Sequence, residues 1–251
     1  MKMKKSIEVK TQTVGRNRRN FLKVSGLAIA GSGLLLASCS DDDDNGNMLG
    51  DDVFDLGTGN LAVLNYAYAL EQLEAAFYAK VVAGGYYQGA SATVQQLLTD
   101  VYNHEVIHRE FFRTAISSAV SADMVLPDLE IDFGADSQFD SEDFVINTAI
   151  ALEDTGVAAY NGAGKLITVD DAAGQIYLGL AGKIVSVEAR HASAFRDLKN
   201  PGSMDFAGND ILIGLAGTAP AFDKATPPAD ILAAVSSLGF IKTNFTAKAF
   251  V

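Results

Sequence analysis

The 251-residue chain has one cysteine, three histidines and five prolines. A single Cys excludes an intrachain disulfide, and without a second Cys pair no thiolate iron site is present to act as a built-in electron donor. Basic residues are scarce as well, with 19 Lys and Arg against 31 Asp and Glu. Eight of the 19, and only one acidic residue, Glu8, fall within residues 1–38; residues 39–251 therefore carry 11 basic and 30 acidic side chains, a formal charge of −19. A surface of that sign repels phosphate backbones, which argues against nucleic acid as a partner, and it attracts cations. A long apolar run is also missing. The uncharged stretch from Val24 to Leu36 is too short to cross a bilayer comfortably.

What histidine there is lies in two short windows, Asn103-His104-Glu105-Val106-Ile107-His108-Arg109 and Val187-Glu188-Ala189-Arg190-His191. Each contains Glu-x-x-His, and on a helix residues i and i+3 share a face. The faces in question are apolar. One reads Val94, Leu97, Val101, Glu105, His108, Phe112, Ala115, Ala119, and the other Tyr177, Ala181, Ile184, Glu188, His191, Phe195, Leu198. A carboxylate on a core stripe must be protonated, paired with a cation or bound to a metal, because burying it unpaired costs several kcal/mol.

A third element precedes each window. Glu71 is followed seven residues later by Tyr78, and Glu153 by Tyr160; Glu71 stands 34 positions before Glu105 and Glu153 stands 35 before Glu188. These glutamates also interrupt apolar stripes: Leu61, Leu64, Tyr68, Glu71, Ala75, Tyr78, Val82 and Ile146, Ala149, Glu153, Gly156, Tyr160, Ala163, Ile167. The chain thus repeats a helix pair, and four helices bring four Glu and two His to one interior. Glu74, one turn beyond Glu71 on the stripe of Leu70, Phe77 and Val81, is a second candidate for the first position. Its counterpart in the second half is Gly156, so the repeat favours Glu71.

In chain order, Arg18-Arg19-Asn20-Phe21-Leu22-Lys23 matches the twin-arginine export signature, and Leu36-Ala37-Ser38-Cys39 resembles a lipobox in which Cys39 is lipidated. Residues 1–38 read as a signal peptide. Residues 39–55, with the run Asp41 to Asp44, read as an acidic tether. A Cys-Ser followed by acidic residues also resembles the signal that sends some lipoproteins to the outer cell surface, so the expected location is the cell envelope, with the outer membrane or cell surface as the sharper possibility.

Residues 56–200 read as an all-α four-helix bundle. The first helix is expected from Gly59 to Ala83, ended by Gly84-Gly85, and the second from Ser91, an N-cap, to Ser121. The acidic stretch Asp123 to Asp140 is a long connection between the pairs. A third helix is expected from Ser141 to Leu166, and a fourth from Asp170-Asp171 to Lys199. Residues 201–251 are broken by Pro and Gly, with one short helix from Pro228 to Leu238, and pack on the bundle. The many glycines of helices three and four read as close-packing positions.

As a set, Glu71, Glu105-x-x-His108, Glu153 and Glu188-x-x-His191 resemble the di-iron carboxylate site of the ferritin-like superfamily. The wording Leu70-Glu71-Gln72-Leu73-Glu74-Ala75-Ala76-Phe77-Tyr78 and Glu153-Asp154-Thr155-Gly156-Val157-Ala158-Ala159-Tyr160 is similar to its exported, desiccation-related branch. The resemblance implies Glu71 and Glu153 as terminal carboxylates, Glu105 and Glu188 as bridging carboxylates, His108 and His191 as nitrogen ligands, and Tyr78 and Tyr160 as donors orienting the opposite glutamates. It implies two iron ions, with manganese suited to the same hard ligands. It further implies oxygen or peroxide as reactants, in iron oxidation or protection against oxidative stress. A homodimer is compatible with it, whereas a storage cage suits a tethered amino terminus poorly.

Two other readings use the same residues. His104-Glu105-x-x-His108 formally matches the helix of zinc proteases, but that leaves Glu71, Glu153, Glu188 and His191 without a shared purpose. Alternatively the protein is a metal-free structural or stress protein whose buried Glu and His pair with Arg109, Arg190 or one another.

Overall fold

A computed structural model describes residues 53–214 and 219–250. The export motif with Arg18 and Arg19, the lipobox with Cys39, and most of the acidic tether lie outside the described residues. Four long helices form the bundle: α1 (Gly59–Ala83), α3 (Ala92–Ala119), α4 (Glu142–Gly164) and α5 (Ala172–Lys199). A five-residue helix, α2 (Gly85–Gly89), links the first two, and α6 (Pro228–Leu238) follows the bundle. Among the described residues no helix is long and apolar enough to cross a membrane.

The starts of the helices follow from local chemistry. The side chains of Ser91, Ser141 and Asp171 accept hydrogen bonds from the backbone N–H groups of Val94 (3.4 Å), Phe144 (3.4 Å) and Gly174 (2.7 Å), satisfying donors that a first turn leaves free. Their ends fall up to two residues short of expectation for α3 and α4, at Ala119 and Gly164. The chain turns instead at Gly84-Gly85 into α2, an element without a periodic signature of its own.

The largest departure from the sequence pattern is α1. Every residue from Ala62 to Ala75 is buried, so over this stretch α1 has no wet face, and its exposed residues lie only at its ends, at Gly59 and from Ala79 on. It packs on α3, while α4 packs on α5, and its outer side is covered by the connection between the two pairs. Asn65 donates to the carbonyls of Leu56 and Met124 (3.1 and 3.0 Å) and accepts from the Leu126 N–H (3.0 Å). One heptad on, Gln72 donates to the Pro127 carbonyl (3.2 Å) and accepts from the Leu129 N–H (2.8 Å). These two amides thus fix a segment whose Leu126, Phe133 and Phe139 are themselves buried.

Described residues of the C-terminal segment pack on this core. Strand β1 (Phe54–Asp55) pairs in parallel with β4 (Phe245–Thr246), β2 (Leu212–Ile213) pairs antiparallel with β3 (Phe222–Asp223), and Ile231 and Val235 of α6 join the buried cluster. The close approach is sharpest at Gly162, where a Cβ would lie 1.7 Å from the Thr226 carbonyl oxygen. The packing reading of the helix glycines fits Gly162 but not Gly179 and Gly182, which meet nothing within 4 Å.

That contrast is measurable. Gly162→Ala is expected to lower stability by about 1–3 kcal/mol through overpacking, whereas Gly182→Ala, on an exposed helix interior, raises it by about 0.5–1 kcal/mol. Urea midpoints of the two variants against the parent check both signs.

Candidate metal centre

The two helix pairs carry their chemistry at one level of the bundle. Glu71 comes from α1, Glu105 and His108 from α3, Glu153 from α4, and Glu188 and His191 from α5; all four carboxylates are 0 % exposed and the imidazoles 8 % and 5 %. All six residues singled out by the repeat therefore meet.

Their polar atoms divide in a telling way. Tyr160 donates to Oε1 of Glu71, and Tyr78 donates to Oε1 of Glu153. Burial, followed by the adjacent carboxylate, pushes both phenols above their usual range, so they stay protonated and donate. The remaining oxygen of each of these glutamates, Oε2, is buried with no hydrogen-bond partner, and so are both oxygens of Glu105 and both of Glu188, together with Nδ1 of His108 and of His191. Such orphans are rare in native interiors, where buried polar atoms are almost always paired.

The orphans converge on two points. Nδ1 of His108 lies 3.4 Å from Glu71 Oε2, 3.4 Å from Glu105 Oε2 and 2.9 Å from Glu188 Oε1. Nδ1 of His191 lies 2.8 Å from Glu105 Oε1, 3.3 Å from Glu153 Oε2 and 3.5 Å from Glu188 Oε2. None of these approaches has hydrogen-bond alignment. Glu105 and Glu188 each turn one oxygen to either point, while Glu71 and Glu153 each serve one. Two groups that can hold a metal ion result, Glu71, Glu105, His108, Glu188 and Glu105, Glu153, Glu188, His191, with ligand atoms within 4.8 Å of one another. Hard carboxylate oxygens with one imidazole each suit iron, manganese or zinc. Four carboxylates balance two divalent cations, so the residues fit a metal pair.

Without metal the group holds itself together with protons. Burial pushes the Glu71 carboxyl up to about 8, against the pull of His108, and raises Glu153 as well. Burial opposes charge on Glu188 too, yet His108 and His191 hold it at about 2. Burial likewise opposes the imidazolium forms, but the facing carboxylates raise His191 to about 12 and His108 at least as strongly. The arginines considered as counter-ions are engaged elsewhere: Arg109 pairs with Glu110 (2.8 Å) and Arg190 donates to Ser186 (2.9 Å).

Around this centre the repeat extends further. Phe195, four residues after His191, stacks on Tyr78 (5.8 Å between centroids), and Phe112, four after His108, packs on Tyr160 (6.4 Å). His104 breaks the symmetry. It lies at the surface with Nδ1 2.8 Å from Nε2 of His191, its ring stacked on the His191 ring at 5.1 Å. It belongs to neither metal-binding group, so the zinc-protease reading loses its first histidine. The contact of His104 with His191, 87 positions away, has no signal in the local sequence pattern. Glu74 is also buried, at 3 % exposure, with its Oε2 unpaired. Glu71, and not Glu74, supplies the oxygen that faces His108, and Glu74 belongs to neither metal-binding group.

A family model for the ferritin-like domain matches residues 59–201, more than half of the chain, and the protein belongs to that family. Neither a curated protein nor a solved structure matches it.

The tyrosines can be tested apart from any metal. In the metal-free protein Tyr160→Phe strips a buried carboxylate oxygen of its donor and is expected to cost about 1–3 kcal/mol. Tyr66→Phe, which removes a buried hydroxyl that has no partner, is expected to leave stability unchanged or improved. Thermal melts of both variants decide this.

Proposed function

We propose that this is an exported, lipid-anchored ferritin-like protein with a carboxylate-bridged dinuclear metal site, iron first and manganese second, that oxidises ferrous iron with oxygen or peroxide or removes peroxide using an external reductant. The observation that carries the proposal is the division of buried oxygens. Two glutamates have both oxygens free and facing two points, and two have one oxygen free while a tyrosine holds the other. Bridging and terminal carboxylates need that pattern. A merely structural Glu–His cluster has no use for it.

When bound, such a metal pair supplies one-electron redox chemistry and binding positions for oxygen or peroxide. The chain's own residues do the rest. Tyr78 and Tyr160 fix the terminal carboxylates from the opposite helix pair, as outer hydrogen bonds to metal ligands commonly do. With Nδ1 of His191 directed inward, its Nε2 carries the hydrogen and donates to Nδ1 of His104, which sets ring orientation and tautomer. The His104 imidazole, open to solvent on one side but partly desolvated by its packing on the site, is held below its usual pKa by that desolvation and by its two histidine neighbours, and is the neutral acceptor this requires. An apolar cavity lined by Leu64, Phe112, Tyr160 and Ala181 adjoins the Tyr160 side of the site. A dry space of this kind takes up small apolar molecules such as oxygen.

The placement in the cell rests on Arg18-Arg19 and on Leu36 to Cys39. Twin-arginine export carries folded proteins, which fits a cofactor loaded before export. The cation-attracting surface fits a site fed with metal outside the cytoplasm as well. Partners on this reading are metal ions, oxygen or peroxide, and the membrane through Cys39, with a homodimer as the assembly to test.

Elemental analysis of the purified protein is expected to give two iron or manganese ions per chain, and none in the Glu105→Ala, Glu188→Ala double variant. One zinc per chain, lost with His104, returns the protease reading, and no metal after reconstitution leaves a structural bundle. Because ligands must shed protons to bind, loading is expected to release protons and to weaken as pH falls. At a hundredfold excess over Kd, metal adds about 2.7 kcal/mol to stability, which a chelator reverses in a calorimetric scan.

A further inference from the structure

We propose that Glu74 is a fifth carboxylate of this centre, a ligand for a hard metal cation standing between the two metal positions on the α1/α4 side, and that Gly156 is what admits it. The inference rests on the dinuclear reading above.

The placement follows from the way α1 meets α4. Tyr78 of α1 reaches Glu153 of α4, and Tyr160 of α4 reaches Glu71 of α1. The two helices therefore run antiparallel at this level, and the positions that meet midway are those between 71 and 78 and between 153 and 160. Glu74 and Gly156 occupy them. Both are buried, and a Cβ at Gly156 would lie 3.1 Å from Glu74 Oε1 and 3.8 Å from Glu188 Cγ. The carboxyl of Glu74 thus fills the room that a side chain at 156 would need, and Glu188, which turns an oxygen to each metal position, borders the same space. A second carboxylate could not fit there, which accounts for a buried acid in the first half standing opposite a glycine in the second.

Glu74 has no other visible occupation. It is 3 % exposed, its Oε2 has no hydrogen-bond partner, and among the described residues no tyrosine or arginine bonds to it as Tyr78 and Tyr160 bond to their glutamates. Burial, and after it the carboxylates of Glu188 and Glu105, raise its pKa well above the carboxylate range. A helix interior offers many better residues than an unpaired acid. With four carboxylates already matched to two divalent ions, a fifth suits a pair in which at least one ion is trivalent.

The test uses Mn2+, which needs no oxidant, and the full chain stripped of metal. Calorimetric titration and Mn2+ electron paramagnetic resonance are run on the parent, Glu74→Gln and Glu74→Leu. The parent is expected to bind two ions. In both variants at least one of the two binds about tenfold or more weakly, and the spectrum of the coupled pair changes. The melting temperature of the metal-free variants is expected to hold or rise, since an unpaired buried acid has been removed. Two ions bound at parental affinity with an unchanged spectrum overturn the role of Glu74 while leaving the dinuclear site in place. A metal-free variant that melts lower than the parent and binds two ions normally assigns Glu74 to structure and also overturns it. A parent that binds fewer than two ions fails the dinuclear reading itself.

Discussion

A carboxylate taken out of water without a partner costs several kcal/mol, and this bundle takes out five together: Glu71, Glu74, Glu105, Glu153 and Glu188. Much else in the interior answers that constraint. Two tyrosines from the opposite helix pair hold one oxygen each, aromatic rings from the Glu-x-x-His helices hold the tyrosines, and two imidazoles face the remaining oxygens. In the metal-free protein those imidazoles are the cations the carboxylates require. In a loaded protein the same nitrogens become neutral ligands and the cations are supplied from outside. On the dinuclear reading proposed above, the site exchanges protons for metal at fixed geometry, with the cost of the exchange set by burial.

The centre is nearly two-fold symmetric, and its two asymmetries lie on opposite sides. On the α1/α4 side Glu74 faces Gly156. On the α3/α5 side His104, whose counterpart in the second half is Val187, is bonded to His191, leaving His108 without an equivalent partner among the described residues. A symmetric pair of metal positions would be chemically alike; these two differ in what stands behind the imidazole, and on the proposal above they share a carboxylate that only one half of the chain supplies. Such differences separate the affinities or potentials of two ions in one site, because outer hydrogen bonds tune the ligands they touch.

Much of this arrangement was legible in the residues themselves. Buried acids at helical spacing on otherwise apolar stripes have few explanations, and four such stripes with matching offsets identified the bundle, its repeat and six converging side chains. What was not legible has a physical reason in each case. The stripe through Leu61, Glu71 and Tyr78 marks only one face of α1, and nothing in its period reveals that Asn65 and Gln72 bind the backbone of the connection and bury the opposite face. Two amides on a helix ordinarily mean solvent. Glu74 was visible but ambiguous, because a repeat ranks shared positions above unshared ones. The pairing of Phe54 with Phe245 joins two-residue strands nearly two hundred positions apart, too short to leave a pattern.

The covering of α1 bears on function as much as on stability. This helix supplies Glu71, Glu74 and Tyr78, so one element positions a carboxylate facing His108, the buried acid opposite Gly156, and the donor that holds Glu153. Small displacements of α1 would alter all three together. Asn65 and Gln72 fix it at seven-residue spacing by hydrogen bonds to the backbone, which are directional where apolar packing is not. The same covering keeps water from the outer side of the helix, and a drier surrounding strengthens the electrostatic interactions within the centre. The long acidic connection, which by composition looks like a solvated loop, is therefore the element that lets a single helix serve both halves of the site.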